Sequence, residues 1–345
     1  MKSSFCLCDV SAIFGSFSLG PINLHIDTGD YLVILGPTGC GKTSLLRCIA
    51  GTARQSGGSI KLDECNLSPL PPYKRRIGLV TQMGDLFPHM TVRENVEFGL
   101  SYIHGSRKEK MKKTDRYLDL FSLTHLARRK AGTVSGGEGR RVALARCLIT
   151  EPSVLLLDEP LGMLDHNGRQ SMMSTLNMIH KGLNIMTIHV THNRHEAWHL
   201  GGRCAVMNKG RIVQEGSASD LFRAPQSKFV AEFLGGENIF SAVFSNDTAY
   251  VSWGELPLTS MPVFEKGYVV IRPERIRASQ VKNKRNFKGV VESIQDCGAF
   301  MECRVRVNGS ICLVAHTGID SSDEFRIGAA VYIDWTDNAL HCIAE

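Results

Sequence analysis

A glycine-rich segment of eight residues constrains the fold of this chain more than any other feature. It reads Gly36-Pro37-Thr38-Gly39-Cys40-Gly41-Lys42-Thr43 and follows an apolar run over residues 31–35. A strand that leads into the pattern G-x-x-x-x-G-K-T and then into a helix is typical of a phosphate-binding loop. Glycines let successive N–H groups turn toward an anion, Lys42 adds positive charge, and the helix presents the positive end of its dipole. We therefore expect residues 36–43 to bind a nucleoside triphosphate and the Thr43 hydroxyl to bind Mg²⁺.

Length and composition indicate a two-domain chain without a membrane span. A chain of 345 residues suits two domains that each bury a core. No apolar stretch approaches the roughly 20 residues that cross a bilayer. The N-terminal residues lack the features of a secretory signal, so we expect a cytoplasmic protein. The eleven cysteines are scattered without a C-x-x-C pair, which indicates free thiols in a reducing compartment.

The net charge of +6 includes basic runs over residues 107–113 and 282–285. Such runs can face nucleic acid. No aromatic residue interleaves the first run, which is typical of a solvated helix face. We therefore expect no nucleic-acid partner.

Turn signals and apolar spacing outline the first part of the chain. Residues 5–35 alternate apolar and polar side chains, which predicts a small antiparallel sheet. Phe14 in this sheet is a candidate to stack on a purine ring, with Phe17 as the alternative. A helix is predicted from Thr43 to Ala50, stopped by Gly51. Helical spacing between residues 83 and 150 predicts a helical insert.

Polar residues follow the apolar strands predicted after the loop. The strand over 77–80 leads to Gln82, and the strand over 154–157 leads to Asp158-Glu159. Asp158 is placed to hold Mg²⁺, and Glu159 to orient and deprotonate a water for in-line attack. The strand over 185–190 ends before His192, a candidate γ-phosphate contact, whereas His189 within the strand is expected to be packed.

The segment Ser135-Gly136-Gly137-Glu138 precedes a strong helix-forming sequence. Ser-x-x-Glu fits a capping box. The same helix terminus is able to bind a phosphate through its exposed N–H groups, so the two interpretations are compatible.

Composition changes after Gly235-Gly236, where short strands alternate with Gly and Asp turns. We therefore predict domains over residues 1–235 and 236–345, the second a small all-β barrel-like domain.

The motifs described above occur in the order and approximate spacing of the ATP-binding subunits of ABC transporters, which the chain resembles over nearly its whole length. The resemblance implies an α/β P-loop NTPase with a helical subdomain, followed by an all-β, OB-like domain of the TOBE type. It implies that residues 36–43 are the Walker A loop that binds ATP and that Val134 to Glu138 are the signature motif. Gln82 becomes the Q-loop glutamine near Mg²⁺ and the γ-phosphate. Asp158 and Glu159 become the Walker B aspartate and catalytic base, and His192 the switch histidine.

The same resemblance implies partners. ATP is sandwiched between the Walker A loop of one subunit and the signature motif of the other in a homodimer. The dimer drives integral-membrane permease subunits from the cytoplasmic face of the membrane, served indirectly by a periplasmic or extracellular solute-binding protein. Residues 85–88 resemble the surface that receives the permease's coupling helix. The chain departs from the usual motifs of the family at two places. The signature reads VSGGE in place of the more frequent LSGGQ, and residues 161–165 read LGMLD in place of LSALD.

For the solute, only subfamily likeness is informative. The segments around Gly29-Asp30-Tyr31, Ser135-Gly136-Gly137-Glu138, 237–240 and 339–343 look most like molybdate and tungstate importers. Sulfate, iron(III) and polyamine importers remain open. Alternatives of other classes are a soluble ABC ATPase acting on nucleic acid or ribosomes, and an oxyanion sensor in the β-domain. Finally, Cys40 beside Lys42 is predicted to have a lowered thiol pKa and high reactivity.

Overall fold

A computed structural model describes residues 3–82, 84–282, 287–309, 311–318, 326–336 and 338–345. Residue 83, the first of the predicted helical insert, and residues 283–285 of the second basic run lie outside the described residues. The chain divides into two compact units, Met1–Ala218 and Ser219–Glu345. This division precedes the domain boundary at residue 235, which stays a prediction.

The first unit contains two sheets and six helices among its described residues. Its strands are β1 (Ser4–Phe14), β2 (Phe17–Asp27), β3 (Tyr31–Leu35), β4 (Gly57–Leu62), β5 (Cys65–Asn66), β6 (Ile77–Val80), β7 (Val154–Asp158), β8 (Met186–Thr191), β9 (Arg203–Asn208) and β10 (Arg211–Gly216). Its helices are α1 (Lys42–Ala50), α2 (Val92–Phe98), α3 (Arg107–Leu120), α4 (Gly136–Leu148), α5 (His166–Leu183) and α6 (Arg194–Leu200).

The central sheet of this unit has the strand order β10-β9-β3-β8-β7-β6. All neighbours from β9 to β6 pair in parallel, and β10 returns antiparallel to β9. Strands β3, β7 and β8 are buried along their whole length, because a parallel sheet carries helices on both faces. The carboxyl ends of β3, β6, β7 and β8 therefore meet at one edge, where ligands bind in sheets of this kind.

A second, antiparallel sheet has the order β2-β1-β4-β5. It confirms the predicted antiparallel sheet for residues 4–27. The prediction is wrong for residues 31–35, because β3 pairs with β8 and β9 in the parallel sheet. β3 is apolar and buried at every position, which is typical of a buried parallel strand, so residues 31–35 do not share the alternation of the strands before them.

Helices α2, α3 and α4 lie within the predicted helical insert, and each begins with a capping box. In these boxes a Ser or Thr hydroxyl accepts from the N–H of a Glu three residues on, and the Glu carboxylate accepts from the cap N–H. The box at Ser135 and Glu138 confirms the predicted helix start. Helix α1 ends at Gly51, as predicted, with a left-handed backbone (φ 80°).

The second unit carries two five-stranded antiparallel sheets. Its helices are α7 (Ala218–Arg223) and α8 (Lys228–Phe233), and its strands are β11 (Asn238–Ser245), β12 (Thr248–Val251), β13 (Gly254–Pro257), β14 (Lys266–Ile271), β15 (Ile276–Ser279), β16 (Phe287–Asp296), β17 (Met301–Val307), β18 (Ile311–Thr317), β19 (Ala330–Trp335) and β20 (Leu340–Ala344). The sheet orders are β13-β12-β11-β14-β20 and β15-β19-β16-β17-β18. The predicted all-β region is confirmed.

The core of the second unit contains a cluster of aromatic rings among aliphatic side chains. The Trp253 ring packs edge-to-face on Phe287 with centroids 5.2 Å apart, and on Trp335 at 6.2 Å. Such pairs add to the burial of their large apolar area. Across the described segments of the chain, no helix combines the length and apolar composition that a membrane crossing requires.

Candidate nucleotide-binding site

The phosphate loop and the ends of the neighbouring strands enclose a cavity of about 610 Å³. Its lining residues come from the β1–β2 hairpin, the loop after β3 and the carboxyl ends of β6, β7 and β8. They are Phe14, Phe17, Thr38, Gly39, Gly41, Lys42, Thr43, Ser44, Gln82, Glu159 and His192. The parallel topology thus brings together side chains that are more than a hundred residues apart in the chain. Ser44 was not predicted, although it directly follows Thr43 in the helix.

The phosphate loop has the backbone that an anion cradle requires. Gly39 and Gly41 adopt φ values of 81° and 107°, a region that favours glycine. A Cβ added at Gly39 meets no atom within 4 Å, so the loop is open there. A Cβ at Gly41 would lie 2.7 Å from the Phe17 ring. The loop N–H groups and the start of α1 therefore fit a phosphate.

Lys42 is the buried cation of the loop. It is 5% exposed. Its Nζ donates to the carbonyl oxygens of Gly36 at 2.8 Å and of Pro37 at 3.0 Å. These bonds use two of the three ammonium donors and hold the charge at the cavity wall.

Both aromatic candidates line the cavity. Phe17 closes over Gly41, whereas Phe14 lies across the hairpin turn and pairs with Phe17 in register. Each ring presents apolar surface to the site, so the choice of Phe14 as the purine contact stays a prediction.

Thr43 and Asp158 provide hard oxygen ligands beside the loop. Thr43 Oγ1 donates to Asp158 Oδ1 at 3.0 Å. Burial raises the pKa of Asp158, the Thr43 hydrogen bond opposes this, and the charge of Glu159 adds to the rise. Mg²⁺ prefers oxygen ligands of this type, often one carboxylate and one hydroxyl with phosphate and water. The residues present fit the metal, and Gln82 lies in the same cavity.

Glu159 and His192 lie side by side in the wall of the cavity. His192 Nδ1 lies 3.1 Å from Glu159 Oε1. The His192 side chain is 58% exposed and that of Glu159 is 21% exposed. A carboxylate at this position can take a proton from a water, and the imidazole beside it orients the carboxylate.

The signature residues lie apart from this cavity within their own chain. Ser135, Gly136, Gly137 and Glu138 form the first turn of α4, and in the described part of the chain they are not among the residues that line the cavity. Ser135 and Gly136 are exposed. Hydrogen bonds from Ser135 hold the pKa of Glu138 below its usual range. The terminus thus offers exposed N–H groups to another molecule.

Pro37 and Cys40 face a neighbouring cavity of about 450 Å³. Cys40 is 4% exposed, and its Sγ packs against Gly36. Burial raises the pKa of the Cys40 thiol, and Lys42 only partly opposes this. The prediction of a lowered pKa is wrong, because desolvation outweighs the nearby charge.

Sequence reasoning missed a buried polar network behind the site. His189 is fully buried, as predicted. Its Nδ1 lies 2.9 Å from the Tyr31 hydroxyl, and its Nε2 lies 3.2 Å from Glu196 Oε2. Glu196 lies in α6, four residues after His192, and no sequence motif marks its position.

Comparisons with known proteins agree with this geometry. The family profile described as "ABC transporter" matches residues 19–162, and the one described as "TOBE domain" matches residues 269–343. The spermidine/putrescine import ATP-binding protein PotA of Bacillus cereus is 38% identical over 319 residues, which cover 91% of this chain and 91% of the relative. The molybdate/tungstate import ATP-binding protein WtpC of Pyrococcus horikoshii is 37% identical over 340 residues, with coverage of 96% and 97%.

A solved structure shares the fold. CbiO1 from Clostridium perfringens, part of the ABC transporter complex CbiONQ, matches with a TM-score of 0.58 and 28% identity. The match covers 63% of this chain and 89% of that chain. With an ABC ATPase domain followed by a TOBE domain, and with relatives that match along nearly their whole length, this chain belongs to the family of ABC importer ATPases, ATP-binding enzymes coupled to transport.

Proposed function

We propose that this chain hydrolyses Mg²⁺-ATP as a homodimer and so drives a membrane permease that imports a small solute. One observation carries the proposal. A single cavity collects the buried cation Lys42, the carboxylate Glu159 and the imidazole His192 at the edge of one parallel sheet. This arrangement can bind a triphosphate at one end and activate a water at the other.

In the proposed reaction, the loop N–H groups and Lys42 hold the β- and γ-phosphates. Glu159 takes a proton from the attacking water, and His192 and Gln82 contact the γ-phosphate. Thr43 and Asp158 would hold Mg²⁺, which when bound neutralises charge that develops on the phosphate oxygens. Phe14 is proposed to stack on the adenine.

A second copy of the chain would complete the site. The exposed first turn of α4 with Ser135, Gly136, Gly137 and Glu138 offers N–H donors but lies outside the cavity of its own chain. A two-fold dimer would place this turn of each subunit over the ATP of the other. ATP binding then favours the closed dimer and hydrolysis releases it, which is a two-state switch.

A groove of about 450 Å³ near the predicted permease surface supports docking to a permease. Phe87, Phe98 and Ala143 provide its apolar wall. Arg146 lies over the Phe87 ring at 5.1 Å and donates to the carbonyls of Gly84 and Asp85. We propose that a helix of the permease occupies this groove at the cytoplasmic face of the membrane, with a solute-binding protein acting on the far side.

Two solute classes are the leading candidates, and sulfate and iron(III) stay alternatives. Molybdate or tungstate is proposed from the sequence segments and from the likeness to the relative of Pyrococcus horikoshii. Spermidine or putrescine is supported equally well by the relative of Bacillus cereus. An ATP-binding subunit does not contact the solute, so its own residues cannot separate these classes.

Uptake in cells tests the proposal. Labelled molybdate, tungstate, spermidine and putrescine are offered to cells whose chromosomal copy carries Lys42→Ala, which removes the phosphate-binding charge. We expect uptake of one class to be lost and the other to be unchanged. Cells with Lys181→Ala, a change at an exposed lysine, serve as the matched control. Normal uptake of all four solutes would contradict both assignments.

A further inference from the structure

Arg140 connects the signature helix to the catalytic strand within one chain. It lies in the second turn of α4, just after the signature residues. Its Nη1 donates to the carbonyl oxygen of Glu159 at 3.0 Å and also to that of Pro160. The guanidinium is half-buried, and burial lowers its pKa while the carboxylate of Glu196 opposes this. A guanidinium that leaves water to bind two main-chain carbonyls fixes their positions.

The residue that Arg140 contacts has an unusual backbone. Glu159 has a φ of 45°, a left-handed conformation that residues other than glycine rarely adopt and that persists only where the surroundings determine it. The Glu159 N–H donates to Val190 O at 3.0 Å, and the Gly162 N–H donates to Glu159 O at 3.1 Å. Arg140 is the side chain from the signature helix that joins this set of contacts.

This backbone sets the direction of the Glu159 side chain. The carboxylate lines the cavity beside His192, whereas the carbonyl of the same residue points to Arg140. A shift of the Glu159 backbone would therefore move the carboxylate relative to the attacking water. Misplacement of a reacting group by about 1 Å can lower a rate about 100-fold.

We propose that Arg140 is a positioning residue for Glu159 and ties the position of the catalytic carboxylate to that of the signature helix. The inference rests on the proposed function, in which Glu159 is the base. In the proposed dimer, the signature turn contacts the partner's ATP while Glu159 acts on the ATP of its own chain. The Arg140 side chain, bound to the Glu159 carbonyl, then connects the two ATP sites.

Steady-state ATP hydrolysis by the full chain tests this role. Arg140→Met keeps an unbranched apolar side chain but removes the guanidinium and its donors. We expect kcat to fall about 10- to 100-fold with the dissociation constant for ATP unchanged within error, and the Tm to fall only slightly, because two main-chain carbonyls lose a donor. Arg140→Lys, which keeps one charged donor, should restore part of the rate. Arg128→Met, at an exposed arginine of the same unit, should hydrolyse ATP at the parent rate.

A double substitution separates positioning from a structural role. If Arg140 acts through Glu159, then Glu159→Gln combined with Arg140→Met should be no slower than Glu159→Gln alone, because residues that act as a unit are not additive. Multiplied losses, or a lowered Tm with weakened ATP binding in Arg140→Met, would overturn the inference. An unchanged rate in Arg140→Met beside an inactive Glu159→Gln would overturn this inference alone, whereas an active Glu159→Gln would overturn the proposed function as well.

Discussion

The imidazole of His192 lies 3.1 Å from the carboxylate of Glu159, although the two residues belong to different strand ends. Their strands β8 and β7 are parallel neighbours, with Asp158 in register with Val190. Glu159 follows Asp158, and His192 comes two residues after Val190, so both leave the sheet at the same edge and lie side by side. The relationship therefore depends on the sheet, and a change in either strand end would separate the carboxylate from the imidazole.

Asp158→Asn should stabilise the protein without nucleotide. Burial raises the pKa of Asp158. A carboxyl whose pKa rises on folding binds protons more tightly in the folded state, so stability falls as pH rises from the unfolded pKa of about 3.9 through the raised value. Above that value the loss is constant. The asparagine variant lacks this loss, so its Tm should exceed the parent's at neutral pH, and the gap should shrink near pH 4.

The same variant should bind Mg²⁺-ATP more weakly, because it loses a charged oxygen ligand. Thermal unfolding at both pH values and titration with nucleotide check the two expectations. Asp119→Asn, at an exposed carboxylate of α3, is the control. A lower Tm for Asp158→Asn at neutral pH would show that the charged carboxylate does not lower the free energy of unfolding.

Gly41→Ala and Gly182→Ala should have opposite effects. At Gly41, φ is 107° and an added Cβ would approach the Phe17 ring to 2.7 Å and Met207 Cε to 3.2 Å. We expect the free energy of unfolding to fall by more than about 1 kcal/mol and ATP binding to be lost. Gly182 lies in α5, where a Cβ meets no atom within 4 Å. Its alanine variant should gain about 0.5–1 kcal/mol.

Urea unfolding and ATP titration measure both glycine variants. Equal stability of Gly41→Ala and the parent would mean that the loop does not need a left-handed backbone at this position.

Cys40 should react slowly with thiol reagents. It is buried and its pKa is raised, so little thiolate forms at neutral pH. Cys8, Cys65 and Cys297 are exposed and should be labelled first by a maleimide. Peptide mass spectrometry after brief labelling gives the order. Labelling of Cys40 ahead of Cys8, Cys65 and Cys297 would contradict the burial of this thiol in the loop.

Much of this fold could be predicted because its strongest signals are local. One apolar strand leads into the phosphate loop at residues 36–43, and another ends at Asp158. This pattern predicts a parallel sheet in which both strands end at the same edge. Gly51 and the Ser135–Glu138 box mark helix ends through the conformation of a few residues. Such features are contained in short stretches of sequence.

The rest depended on packing between distant segments. Burial of Cys40 against Gly36 raises the thiol pKa more than the charge of Lys42 lowers it. No local sequence pattern predicts which of these two effects is larger. The contact from Arg140 to Glu159 joins a helix to a strand end nineteen positions away, and a helical arginine is usually a surface residue. The sequence also does not decide whether Phe14 or Phe17 contacts the purine, because both rings reach the same cavity.

Hydrolysis by Glu159→Gln is the most direct test of whether this site hydrolyses ATP with Glu159 as the base. Purified parent, Glu159→Gln and the control Glu151→Gln, whose carboxylate is 67% exposed, are assayed with Mg²⁺-ATP while their mass in solution is followed. We predict that Glu159→Gln loses about 10²- to 10⁴-fold in turnover, still binds ATP and accumulates as a dimer, and that the control matches the parent. Turnover of Glu159→Gln at the parent rate would mean that Glu159 is not the catalytic base.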